Sequence, residues 1–195
     1  MVGAYMSMRS LYMAWIMEEL SYFIKAGQIK DQPQTYHLIA DETQLQALAT
    51  RFGLEAITRL EGRFRLQHER AGTIAATLDM LAEVVQICVV TLEPFAERIE
   101  DVAALRFVPA ALMRRLEEAD GDEEDVTPES LESPDDIFYE NDQIDLGAVL
   151  AEQLALVLNP YPRKPGAALP DAATDDSANP FAALADKLGK KTRPD

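Results

Sequence analysis

The chain has 195 residues, 48% of them hydrophobic, enough for one globular core with extensions, since length over roughly 150 is a soft guide to domain number. Its 18 Lys+Arg against 34 Asp+Glu leave a net charge of −16, which argues against nucleic-acid binding through bulk electrostatics, because neutralising phosphates needs a basic surface. One cysteine excludes an internal disulfide and any multi-cysteine zinc cage, and two histidines leave little for a metal site or a Ser-His-Asp arrangement.

No stretch approaches the roughly 20 consecutive apolar residues that span a bilayer. Leu11–Met17 is a short apolar run preceded by Arg9, but Glu18-Glu19 follows where a secretory signal would place a small-residue cleavage site. Two readings remain: residues 1–16 form a short docking helix, or translation starts at Met17 and 1–16 is an over-long extension. The second is preferred.

Residues 22–30 read as a short, strand-like lead-in, and Tyr36–Ala40 as a strand. A helix follows. Asp41 caps it, Gln44 completes a capping box, Leu45, Leu48, Ala49 and Phe52 form its buried stripe, and Gly53 stops it. From Leu60 the period changes to two. Leu60, Gly62, Phe64 and Leu66 alternate with Glu61, Arg63, Arg65 and Gln67, as in an antiparallel strand with one wet face. Ala71-Gly72 marks a turn, and Ile74, Ala76, Leu78 and Met80 alternate on the return. Val84–Val90, apolar on both faces, predicts a separate central strand ended by Thr91–Pro94. Residues 96–108 predict one more strand.

The charge is concentrated. From Leu116 to Pro162 there are fifteen acidic residues and no Lys, Arg or His, which leaves 19 acids and 18 bases elsewhere. Residues 117–136 combine high charge, low apolar content and two prolines, so they are expected to stay disordered. Ile137–Tyr139 offers an apolar anchor. Asp145-Leu146 begins a second helix with Leu146, Val149, Leu150, Leu154, Val157 and Leu158 on its apolar side and Asn159-Pro160 as its stop. A Pro/Ala/Asp-rich tail ends in a short helix capped by Asn179, with Phe181, Leu184 and Leu188 on one side and Lys187, Lys190 and Lys191 at its end. Ten residues are marginal as an isolated helix, so this one must dock on something.

The expected fold is α+β: an antiparallel β-meander of three or four strands with two packed helices. Residues 17–115 and 137–160 form the single domain. Residues 116–136 are a disordered acidic insertion, and 161–195 a mobile tail with a short terminal helix.

No catalytic constellation, cofactor loop or metal set stands out, so the expectation is no enzyme and no cofactor. Cys88 reads as a buried, inert thiol in an apolar strand, with no Lys, Arg or His within six positions. Asp135, Asp136, Glu140 and Asp142 lack the spacing of a calcium loop and read as solvated acids. Arg59, Arg63 and Arg65 project from one strand face, with Glu61 among them. The bland reading is cross-strand ion pairing; the functional one is a small RNA-phosphate patch, helped by Arg114-Arg115, though stacking aromatics are missing. The acidic segment, Asp122, Glu123, Glu124, Asp125, Asp135 and Asp136 included, is either a solvated linker or a polyanion that attracts a basic partner.

Gln86, Cys88, Glu93 and Pro94 form a Q-x-C-x-x-x-x-E-P core. An acidic run follows, then Ile144-Asp145-Leu146 opening a helix that contains Glu152, then Asn159-Pro160-Tyr161-Pro162-Arg163-Lys164-Pro165-Gly166. In order and spacing this resembles the YceD family, the large ribosomal RNA subunit accumulation proteins, over about residues 20–190; Asn179–Leu184 resembles a tail in one branch. Many members carry further cysteines after the second helix, suggesting a metal knuckle. Here Pro162–Pro165 occupies that region, so no zinc expectation carries over. The resemblance implies a cytoplasmic, non-enzymatic role in accumulation of large-subunit (23S) ribosomal RNA and ribosome assembly. The partner expected is a basic ribosomal protein or an assembly intermediate shielded by the acidic segment. Ribosomal RNA held by the arginine face is the alternative, and no membrane partner is expected.

Overall fold

The computed structural model describes residues 19–112 and 134–168. The expectations for residues 1–16, for Asp122–Asp125, for Arg114-Arg115 and for the terminal helix lie outside the described residues. The fold class is α+β, as expected.

Four long antiparallel strands carry the fold: β2 (Gln34–Ile39), β3 (Ala56–His68), β4 (Ile74–Ile87) and β5 (Pro94–Pro109), adjacent in chain order. A fifth, β6 (Asp135–Tyr139), joins the end of β5 in parallel, pairing Leu105 with Asp135 and Pro109 with Tyr139. The meander is thus one strand larger than expected and is not wholly antiparallel. A second, two-stranded sheet pairs β1 (Phe23–Lys25) with β7 (Gln143–Asp145).

Alternation decides the faces. Leu60, Phe64 and Leu66 of β3, Ile74, Leu78 and Val84 of β4, and Leu105 and Phe107 of β5 are buried on one side. The separate strand expected at Val84–Val90 is corrected: β4 runs unbroken to Ile87, and Cys88–Thr91 is turn. Val85 and Ile87 lie on the outer side of the same strand, which is why that stretch reads as apolar on both faces. The turn expected at Ala71-Gly72 forms, with both residues at positive φ (59° and 82°).

Helix α1 (Glu42–Phe52) carries the capping box, Asp41 accepting the Gln44 N–H at 2.9 Å and Gln44 accepting the Asp41 N–H at 2.9 Å, and stops at Gly53 in the left-handed conformation. Helix α2 (Leu146–Val157) is capped by Asp145 and buries Leu146, Val149, Leu150 and Leu154. Both helices share one core cluster with the inner face of the large sheet. The outer face is left to solvent, with Ile39 62% and Val102 67% exposed. Asn141 and Asp142, both at positive φ, turn the chain from β6 into β7.

Candidate functional site

Three places collect the residues singled out above: the tip of the β4–β5 hairpin, the outer sheet face, and the end of the acidic segment.

At the hairpin tip the motif residues converge on the stretch that leaves α2. Gln86, buried at the end of β4, donates its side-chain N–H to the Asn159 carbonyl at 3.2 Å. Its Oε1 is buried with no hydrogen-bond partner among the described residues. Val89 donates its N–H to the Pro162 carbonyl at 2.9 Å, and the Lys164 ammonium meets the Glu93 carboxylate at 2.9 Å. Pro94 opens β5 opposite Ile87. The tail expected from residue 161 is therefore held to the body as far as Lys164. Pro162 is buried there, Pro160 is exposed, and Glu152 faces solvent on α2.

Cys88 lies under this closure, fully buried, in the turn and not in a strand. Its sulfur accepts backbone N–H groups from Val90, Thr91 and Lys164, each at 3.4 Å. The Thr91 side-chain hydrogen bond is the largest influence on the thiol. Burial opposes it, the backbone donors of Thr91, Lys164 and Val90 add to it, and the thiol is pulled down to about 6. The expected burial is found, and the expected strand setting is corrected to a turn whose N–H groups favour the thiolate. Donor N–H groups stabilise an anion without any neighbouring cation. Closed over by backbone, this sulfur is suited to holding the turn together. Among the described residues no group of three or more His, Cys, Asp or Glu side chains could hold a metal ion.

On the outer face, strand register brings Arg59, Arg63, Arg65, Arg98 and Arg106 together with Glu61, Asp79, Glu83, Glu100 and Asp136. Five cations face five anions. Arg59 donates to Glu61 at 2.8 Å, Arg65 lies 3.7 Å from Asp79, and Arg98 donates to Glu100 at 2.7 Å. The Arg59–Glu61 hydrogen bond holds Glu61 below the usual carboxylate range and raises Arg59. Arg63 sits between His37 and Asp79 in the register with no ion pair among the described residues. His37, Glu61, Arg63, Asp79, Arg98 and Glu100 line a shallow open trough here. Such a face is close to neutral, with Phe138 on the β6 edge as an exposed aromatic, so it offers phosphates little.

The described end of the acidic segment is ordered. Asp135 and Asp136 are the first residues of β6, and Asp136 takes Arg106 in a two-pronged pair at 2.6 and 2.8 Å. Asp136 is therefore committed to the body, a role its place in an acidic run concealed. Asp142 was also missed as an organiser: its carboxylate accepts the Gly27 N–H at 2.6 Å and its carbonyl the Ala26 N–H at 3.0 Å. The Asn141-Asp142 dipeptide, two residue types that favour turns and tolerate positive φ, was the available signal.

No helix among the described residues is long and apolar enough to cross a membrane. Among known families, the model described as "Large ribosomal RNA subunit accumulation protein YceD" matches residues 76–187. No curated protein and no solved structure matches the chain.

Proposed function

The chain belongs to the YceD family of large ribosomal RNA subunit accumulation proteins, and from that premise we propose that it acts in the cytoplasm as a non-enzymatic assembly factor, binding a basic ribosomal protein through its acidic segment until that protein meets RNA. One observation carries the reading: nine acids without a single base between Glu117 and Ser133, attached to a body whose own arginines are largely matched by carboxylates. Arg59, Arg65, Arg98 and Arg106 each have an acidic partner within 4 Å. The polyanion is not needed to neutralise those four. It is suited to raising the encounter rate with a cation-rich partner without shape complementarity.

The rival is direct RNA binding by Arg59, Arg63 and Arg65. Its support is Arg63, the one of the three without an ion pair among the described residues. The two readings separate in one experiment. A deletion confined to residues 117–133 spares β6 and the Arg106–Asp136 pair. It should weaken capture of a basic ribosomal protein, and capture by the intact chain should weaken as salt is raised. Intact capture after deletion, together with loss of RNA retention in Arg63→Glu, would overturn the proposal in favour of the rival.

A further inference from the structure

Strand β5 is longer than its outer neighbour. Pro94–Phe107 pairs with β4 along its whole length, but β6 reaches only Leu105–Pro109. Residues 94–104 are therefore an open sheet edge among the described residues, with alternate N–H and C=O groups turned toward no strand. A proline at the start of such a strand costs no ladder bond on the open side.

This edge carries unusual charge on its core side. Glu97 pairs in register with Val84, Ile99 with Ala82 and Asp101 with Met80. Those three β4 residues are buried, so Glu97 and Asp101 share the inner face with Ile99 between them. Both are half-buried. Neither has a hydrogen bond or an ion pair among the described residues. Inward-facing charge on an edge strand blocks indiscriminate pairing. It also selects, since a like-charged strand laid alongside is repelled and a cationic one attracted. On the outer side of the same stretch Arg98 is already bonded to Glu100 and supplies no free positive charge.

We propose that the open edge of β5 accepts an extended cationic segment of a partner protein as an added strand, with two basic residues four positions apart on either side of an apolar one. In an antiparallel strand whose apolar residue lies opposite Ile99, the residues two before and two after it fall opposite Glu97 and Asp101, with Cβ atoms about 5 Å apart. Backbone pairing supplies the affinity and the alternate side chains the selection. The chain's own acidic segment is disfavoured here by like charge. A second copy centred on Ile99 would set Glu97 against Asp101, again like against like. The inference rests on the reading that the partner is basic, and places a contact on the folded body apart from the acidic segment.

The test uses the full chain and a fluorescent peptide centred on Arg-Thr-Val-Thr-Arg, with a control of equal composition whose arginines are adjacent. The spaced peptide should bind about tenfold more tightly than the control, and Glu97→Lys with Asp101→Lys should weaken it about tenfold. Should that variant lose its circular dichroism spectrum, Glu97→Gln with Asp101→Asn serves in its place and should weaken binding several-fold. Hydrogen exchange of the 96–104 amides should slow when the peptide is added. Deleting residues 117–133 should leave peptide binding in place. Equal binding of both peptides, or no slowing at 96–104, overturns the inference. If the deletion abolishes binding while the charge reversal does not, the acidic segment alone takes the partner; that sinks the inference and leaves the broader reading standing. Binding seen only after removal of Lys187–Asp195, or a dimer dispersed by Glu97→Lys, would make the chain's own tail or a second copy the occupant and would equally overturn it.

Discussion

Asp145 Oδ1 accepts the backbone N–H of Tyr22, 123 positions earlier, at 2.7 Å. The same oxygen caps α2 through the N–H groups of Gly147 at 2.9 Å and Ala148 at 3.2 Å. One atom thus joins the start of the domain to the helix that closes it. Leu146 adds its own N–H to the Tyr22 carbonyl at 3.0 Å. Losing a helix cap costs about 1 kcal/mol, and orphaned, partly buried N–H groups cost about 1–3 kcal/mol more. Asp145→Ala should therefore lower stability by about 2–3 kcal/mol. Asp145→Asn, which keeps an acceptor oxygen, should cost clearly less. Urea midpoints at constant slope check both.

The neighbouring glycine gives a prediction of opposite sign to helix propensity. An alanine in a helix interior is favoured over glycine by about 1 kcal/mol. At Gly147, however, a Cβ would lie 2.7 Å from the Leu20 carbonyl oxygen and 2.8 Å from the Ser21 backbone. Backbone cannot rotate away, so the lead-in to β1 must shift. Gly147→Ala should destabilise by about 1–3 kcal/mol despite its better propensity. Gly62→Ala meets the Leu150 side-chain end at 2.8 Å, which can change rotamer, so its cost should be the smaller of the two. Thermal denaturation of the pair, compared in one buffer, tests the ordering.

Local chemistry was readable where a few adjacent residues decide the outcome. Asp41, Gln44 and Gly53 set both ends of α1, and the two-residue alternation around Phe64 and Leu78 told the core side from the wet side. What stayed hidden depended on distant contacts. Val85 and Ile87 made the end of β4 look like a strand of its own, because apolar residues on a solvent-facing side carry no mark of which face they occupy. The five residues of β6 hold no signal for parallel pairing with β5, which only the Arg106–Asp136 pair and the buried register reveal. Cys88 read as inert because its donors come from a turn and from Lys164, 76 positions away. The motif residues were visible in sequence; their meeting at the hairpin tip was not.

That meeting has a titration consequence. The folded thiol is pulled down to about 6 from an ordinary 9.0. Between those values the folded chain releases a proton that the unfolded chain keeps, so stability should rise with pH across that window. The contribution is fully present above the unfolded value and is lost as pH falls through about 6. Cys88→Ser removes the titrating group and should flatten the slope between about pH 6 and about pH 9. With a single cysteine in the chain, thiolate absorbance in the ultraviolet reads the midpoint directly. A midpoint near that of a free thiol would contradict the hydrogen-bonded turn.

The anchoring of β6 separates two kinds of bond. Tyr139 donates its hydroxyl to the Gly72 carbonyl at 2.7 Å from a partly buried position, and burial raises its pKa, with the Asp142 charge adding to the shift. Arg106 and Asp136 form a two-pronged contact of similar length, at 2.6 and 2.8 Å, yet their side chains are 42% and 36% exposed. Solvent and side-chain entropy reduce an exposed ion pair to about 0–1 kcal/mol, whereas removing the partner of a partly buried carbonyl costs about 1–2 kcal/mol. Tyr139→Phe should therefore destabilise the domain more than Asp136→Asn, although the ion pair has the larger nominal charge. Added salt should narrow the difference between Asp136→Asn and the parent and leave the Tyr139→Phe deficit unchanged. Urea unfolding at low and high salt measures both. A larger loss for Asp136→Asn at low salt would mean that charge, not the buried hydroxyl, fastens the strand on which the acidic segment ends.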